Sequence, residues 1–248
     1  MWIFLHKMAS PKYFYRLASS MIPWLFISGL LLMVYGIING LFYAPSDYQQ
    51  GDAFRIIYVH VPAAYISMMA YSLMAFAAFI ALIWRIKIAH AVIVSAAPLG
   101  AWFTFLALLT GSLWGRPMWG TWWEWGDPRL TSELLMLFLY LGYMALRASI
   151  PNITKADKLS AILILIGAIN IPIIHYSVEW WTSLHQGSTL LKSGGPSIAA
   201  PMLYPLLASI IGLSLFFGSL LLIRTKAEVL KREKHSRWIK DMILGDEV

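Results

Sequence analysis

The sequence predicts an all-α, polytopic membrane protein with six transmembrane helices and both termini cytoplasmic. Three observations carry that expectation. The 248 residues are 59% hydrophobic and only 12% charged, with mean hydropathy +0.67, whereas a soluble domain averages about 25% charged residues. Apolar runs long enough for a hydrocarbon core of about 30 Å recur six times. Lysine and arginine then divide unevenly between the two sets of connecting loops.

The six runs cover 22–43, 56–84, 88–114, 131–146, 159–176 and 202–223. The first follows Lys7, Lys12 and Arg16 and lacks a small-x-small cleavage site, so it reads as an uncleaved span. One side of the membrane receives those three cations, Arg85 and Lys87, Arg147, Lys155 and Lys158, and the seven of the C-terminal tail. The other receives Arg55, Arg116, Arg129 and Lys192. This 15-to-four division makes the first side cytoplasmic and puts loops 44–55, 115–130 and 177–201 outside. Residues 1–223 then form one membrane domain. Residues 224–248 form a charged tail, in which Arg224, Lys226, Glu228, Lys231, Arg232, Glu233 and Lys234 suit a solvated or headgroup-facing helix. The basic excess is a topology signal facing membrane lipid, and no nucleic-acid partner is expected.

Cysteine is absent, which removes disulfides, thiolate metal sites, cysteine nucleophiles and thioether attachment of a prosthetic group. Any cofactor must be held by histidine, carboxylate or backbone. Catalytic-triad and H-E-x-x-H patterns are missing as well, and the spans carry almost no charge, with Glu133 at the mouth of the fourth. That argues against an ion path through the core, since charges inside a bilayer are functional by default.

The loop between the third and fourth spans is the most distinctive segment. Five of the chain's 12 tryptophans, Trp114, Trp119, Trp122, Trp123 and Trp125, fall within 12 residues there. Any one of them could be an interfacial belt residue. Together with Gly115, Gly120 and Gly126 they make an aromatic surface that backbone can approach closely. Asp127-Pro128 predicts an N-cap followed by proline at the first helical position. Asp127 is thus either a cap alone or part of an anion-holding helix start beside Arg116 and Arg129. An aromatic ledge next to such a site suits a planar amphipathic ligand bearing carboxylates, such as heme.

Six histidines are present. His6, His90 and His235 fall on the inner side as ordinary solvated or headgroup residues. His60 precedes Pro62, from which 23 residues lead to Trp84, about 34 Å of helix. The span should therefore start near Pro62, with Val61 pushed out of helical conformation and His60 at the outer mouth. His185 follows Glu179-Trp180-Trp181-Thr-Ser-Leu184, where a short interfacial helix would put Trp181 and His185 on one face. A lone histidine is more often packing, and His175 is read that way or as a supporting residue. A pair from separate loops flanking the tryptophans can instead ligate a heme iron from both sides.

The motif Trp119-Gly-Thr-Trp-Trp-Glu-Trp125, followed by Asp127-Pro-Arg-Leu-Thr-Ser-Glu133, resembles the tryptophan-rich WWD domain of heme-handling proteins. Together with Tyr58-Val-His60-Val-Pro62 and Trp180-Trp-Thr-Ser-Leu-His185-Gln-Gly187, nearly the whole chain is similar to the heme exporter protein C (CcmC) family of bacterial cytochrome c maturation. Gly126 separates Trp125 from Asp127, where the family pattern usually runs Trp directly into Asp. The resemblance implies a heme-binding and heme-transfer protein of the inner membrane, without enzymatic activity of its own. It would hold a b-type heme at the periplasmic face and deliver it to the heme chaperone CcmE. Its other partners would be the cassette pair CcmA and CcmB and the small membrane protein CcmD. By the same resemblance His60 and His185 would be axial iron ligands, and Trp119, Trp122, Trp123 and Trp125 the platform. Arg55, Arg116 and Arg129 are candidates for the heme propionates on chemical grounds, Arg129 being the best placed. A b-type cytochrome subunit would also use two histidines per heme but would bury them within spans. A transporter with a polar path through its core is the other alternative.

Overall fold

The computed structural model describes residues 10–187, 190 and 194–244. His6, Lys7 and Lys192 of the topology argument lie outside them. The described residues are predominantly helical, with no strand among them, and six helical segments are long and apolar enough to cross a membrane. Helix α1 (Pro11–Ile38) runs into a π-turn at Asn39–Tyr43. A 3-10 turn (Asp52–Ile56) leads into α2 (Ile57–Trp84), followed by α3 (Lys87–Trp119) and α4 (Pro128–Ser149). The fifth crossing is α5 (Ile153–Gly167) with α6 (Asn170–Trp180), and the sixth is α7 (Ala200–Arg232). A short helix α8 (Arg237–Leu244) closes the described chain.

Small residues set the packing, because lipid gives helices no hydrophobic reason to associate and close approach must supply the contact. Ala63, Ala70, Ala77, Ala78 and Ala81 of α2 are buried with Ala89, Ala96, Ala97, Ala101 and Ala107 of α3. Helices α1 and α7 come nearer still, for a Cβ on Gly29 would stand 2.6 Å from the Phe216 backbone nitrogen. Tyr140 of α4 crosses the core to donate to the Ser67 carbonyl at 2.8 Å and meets Tyr71 edge-on.

Three local expectations give way to tertiary context. Helix α2 does not wait for Pro62: His60 and Val61 are helical. Proline costs a helix only the hydrogen bond of its missing N–H and a local clash, and burial of Phe54, Ile57 and Tyr58 against Met202 and Leu206 offsets that. The fifth crossing is broken rather than continuous. Pro172 cannot donate to the Ala168 carbonyl, while Asn170 Nδ2 donates to the Ser132 carbonyl at 2.8 Å and fixes the second half on α4. No interfacial helix forms after Trp180, since Trp181 is extended (φ −137°, ψ 162°) and residues 181–187 run as a loop.

At the end of the bundle carrying both helix-terminal cations of α7, Arg232 and Glu228 turn inward. Asp157 of α5 receives Arg232 at 2.7 Å and pairs with Arg147 of α4, and Arg232 Nε also donates to Glu228 at 2.7 Å. Helix α7 therefore continues past Ile223 without interruption. A cavity of about 390 Å³ at that end, lined by Val94, Pro98, Tyr143, Arg147 and Arg224, lies away from the tryptophan loop.

Candidate functional site

The opposite end of the bundle is organised by Asp127. Its Oδ1 accepts the backbone N–H groups of Arg129 and Leu130, each at 3.0 Å, so the predicted cap and the predicted first-turn proline are both present. Its Oδ2 accepts Ser183 Oγ at 2.7 Å and the Leu184 N–H at 2.8 Å. His185 Nδ1 lies 3.4 Å from Oδ1. One carboxylate thus starts α4 and captures the loop that carries His185. Ser183 Oγ also accepts the His185 N–H at 3.1 Å, a local side-chain turn that competes with helix and explains why none forms here. Only 2% of Asp127 is exposed. Burial alone would raise its carboxyl, but hydrogen bonds from His185, the Leu130 N–H, Ser183 and the Leu184 N–H outweigh that and hold it well below the usual carboxylate range.

His60 is presented from the first turns of α2. Its Nδ1 stands 3.0 Å from Thr110 Oγ1 on α3, and its ring lies over Gly111, where a Cβ would come within 3.0 Å of Cε1. The adjacent Trp114 meets the imidazole edge-on, with ring centroids 5.6 Å apart. Trp114 is itself held by Nε1 donating to Gln50 Oε1 at 3.0 Å and by an edge contact with Phe54.

The last turns of α3 join the two histidines. Trp114 touches His60, and Trp119 touches His185 with centroids 4.9 Å apart. Trp119 folds back on Gly115, and α3 ends at Gly120 with φ +78°, a left-handed value that glycine adopts without strain. Arg129 and His185 both lie within electrostatic reach of the His60 ring. Past Gly120, Trp123 and Trp125 meet edge-on at 5.4 Å. Trp122 and Trp125 are 54% and 72% exposed, the open part of the ledge, while Trp123 Nε1 is buried without a partner among the described residues.

The three arginines differ in what they have left to offer. Arg129 Nε donates to Ser177 Oγ at 3.2 Å and Nη2 to the His175 carbonyl at 3.3 Å, which fixes the side chain against α6. Arg116 bonds the Gly120 carbonyl. Neither has an ion-pair partner among the described residues, so both keep charge for an anion. Arg55 is spent locally, on Asp52 at 2.9 Å and on the Gly40 and Leu41 carbonyls of the π-turn that follows α1. His175 is an exposed residue whose ring packs edge-on against Tyr176. Glu133, in the second turn of α4, is buried and accepts from Ser67 Oγ at 2.7 Å.

Residue-type reasoning passed over Thr110, Gly111, Trp114 and Ser183 as individual site members. Thr110 and Trp114 are one helical turn apart and share a face, a signal that pointed toward His60 only once α2 was known to lie alongside.

A family profile described as heme exporter protein C matches residues 4–240. The heme exporter protein C of Escherichia coli strain K12 is 50% identical over 244 residues, covering 98% of both chains. That of Haemophilus influenzae is 48% identical over 240 residues, 97% of each chain. That of Bradyrhizobium diazoefficiens is 44% identical over 229 residues, 92% of this chain and 86% of its own. With this coverage, and with both histidines and the tryptophan ledge gathered at one end of six spans, the chain belongs to the heme exporter protein C (CcmC) family.

Proposed function

We propose that this protein binds heme at the periplasmic face of the inner membrane and passes it to a membrane-anchored chaperone for cytochrome c maturation. The observation that carries the reading is the pair of imidazoles at either side of the α3 end, each backed at Nδ1 by a protein oxygen and neither given an Nε2 partner among the described residues. Two nitrogen donors are too few for a bare metal ion. They complete an iron whose equatorial positions a porphyrin already fills.

In this reading His60 and His185 are the axial ligands, and Trp119 and Trp123 line the macrocycle. Trp122 and Trp125 form the edge that a partner meets. Arg129, with Arg116 beside it, holds the propionates through charge-assisted hydrogen bonds, while Arg55 serves to anchor the start of α2. The positive-inside division of lysine and arginine supports the periplasmic orientation. The recipient is CcmE, and the assembly includes CcmA, CcmB and CcmD. The cargo is a b-type heme, held and released without being altered.

The test is the visible spectrum of the heme-loaded, full-length protein in detergent. The reading expects a six-coordinate, low-spin Soret and α/β pattern that is lost in His60→Ala and in His185→Ala and partly restored by added imidazole. A wild-type spectrum in both variants would reject the assignment.

A further inference from the structure

The two imidazoles are backed by chemically unlike groups. Thr110 Oγ1 donates its hydrogen to the Leu106 carbonyl at 2.7 Å, a bond within α3. A hydroxyl has one hydrogen, so at 3.0 Å from His60 Nδ1 it can only accept. The His60 proton therefore sits on Nδ1 and the lone pair is on Nε2. His185 Nδ1 instead faces the Asp127 carboxylate at 3.4 Å. Ser183 Oγ, also 3.4 Å away, gives its one hydrogen to Asp127 and so is only a second, neutral acceptor for the Nδ1 proton beside the carboxylate.

We propose that Thr110 and Asp127 are positioning residues that make the two histidines unequal ligands: His185 the strong, retained one and His60 the one that leaves when heme is handed over. The inference rests on the axial-ligand reading above. A carboxylate behind an imidazole raises the basicity of the ligating nitrogen. A neutral hydroxyl already committed as a donor does so far less. In the exchange the Fe–Nε2 bond to His60 breaks, its electron pair returns to nitrogen, and the incoming donor's pair fills the vacated position. The iron changes neither oxidation state nor coordination number across the whole step. The Thr110 bond and the Gly111 seat keep the freed ring aimed at the iron, so an unsuccessful encounter reverses.

Carbon monoxide binding to the ferrous, heme-loaded protein reads this directly, because at saturating gas the rate equals departure of the weaker histidine. Thr110→Val removes the acceptor at constant shape. It is expected to raise that limiting rate several-fold, up to about tenfold for one hydrogen bond, and Thr110→Ser to restore it. If valine is not tolerated, Thr110→Cys supplies a weaker acceptor and should move the rate the same way. Asp127→Asn is expected to raise the heme midpoint potential by more than Thr110→Val does, since the anionic backing favours ferric iron. A limiting rate unmoved by Thr110→Val or Thr110→Cys, or a larger potential shift from Thr110 than from Asp127, would overturn the inference. These failures are separate from failure of the ligand reading, which would appear as unchanged spectra in His60→Ala and His185→Ala.

Discussion

The Asp127 carboxylate accepts the Leu184 backbone N–H at 2.8 Å across 57 positions of sequence. The same oxygen takes Ser183 Oγ, and the other oxygen caps α4. The start of α4 and the loop that carries His185 are consequently one unit, and the loop's register is fixed by the cap.

Asp127→Ala should therefore cost more than an ordinary cap. Loss of the cap is worth about 1 kcal/mol, and the Ser183 and Leu184 bonds each add about 1 kcal/mol, so destabilisation of about 3 kcal/mol is expected. Limited proteolysis should cut residues 181–187 sooner in the variant. Thermal unfolding in detergent checks the first expectation, and equal cleavage rates would contradict the second.

The pH dependence of that contribution follows from the lowered Asp127 carboxyl. A group whose folded value lies below its unfolded value of about 3.9 stabilises the protein above that pH and loses the contribution as pH falls through the folded value. The stability gap between wild type and Asp127→Asn, measured on the heme-free protein, should be constant near neutrality and shrink below about pH 4. A gap that widens with acid would contradict the assignment.

Much of this end of the molecule could be read locally. Asp127-Pro128 announced a cap and a first helical residue because capping depends on neighbours two and three positions away. The six crossings were legible from run length, although α1 begins at Pro11, ahead of the apolar run, since Lys12 and Arg16 interrupt hydropathy without interrupting helix. What escaped were pairings across the fold. Thr110 meets His60 over 50 positions and Ser183 meets Asp127 over 56. The His185 segment had helical spacing, yet one distant carboxylate with two hydrogen bonds drew it into a loop.

The tryptophans should separate by position. Trp119 touches His185, so Trp119→Ala is expected to broaden or shift the heme spectrum. Trp122 is exposed and has no aromatic partner among the described residues, so Trp122→Ala should leave the spectrum intact while lowering transfer to the chaperone severalfold. Identical effects on binding and transfer from the two variants would remove the distinction between seat and rim.

Gly111 offers the most economical perturbation of His60. A Cβ there would stand 3.0 Å from Cε1, 3.5 Å from Nδ1 and 3.9 Å from Nε2, the three nearest heavy atoms outside its own helix backbone, so a methyl group presses first on the near edge of the ring. Alanine is also the better helix former by about 1 kcal/mol, and α3 should be at least as stable in the variant. Gly111→Ala is thus expected to insert and fold normally, to displace the imidazole by a few tenths of an ångström, and to weaken heme retention with the tryptophan ledge unchanged. Heme affinity and thermal stability measured on the same preparation decide the matter. Falling affinity at unchanged or higher stability supports a seat shaped for His60, whereas unaltered affinity would mean that the ring's position above Gly111 has no bearing on the iron.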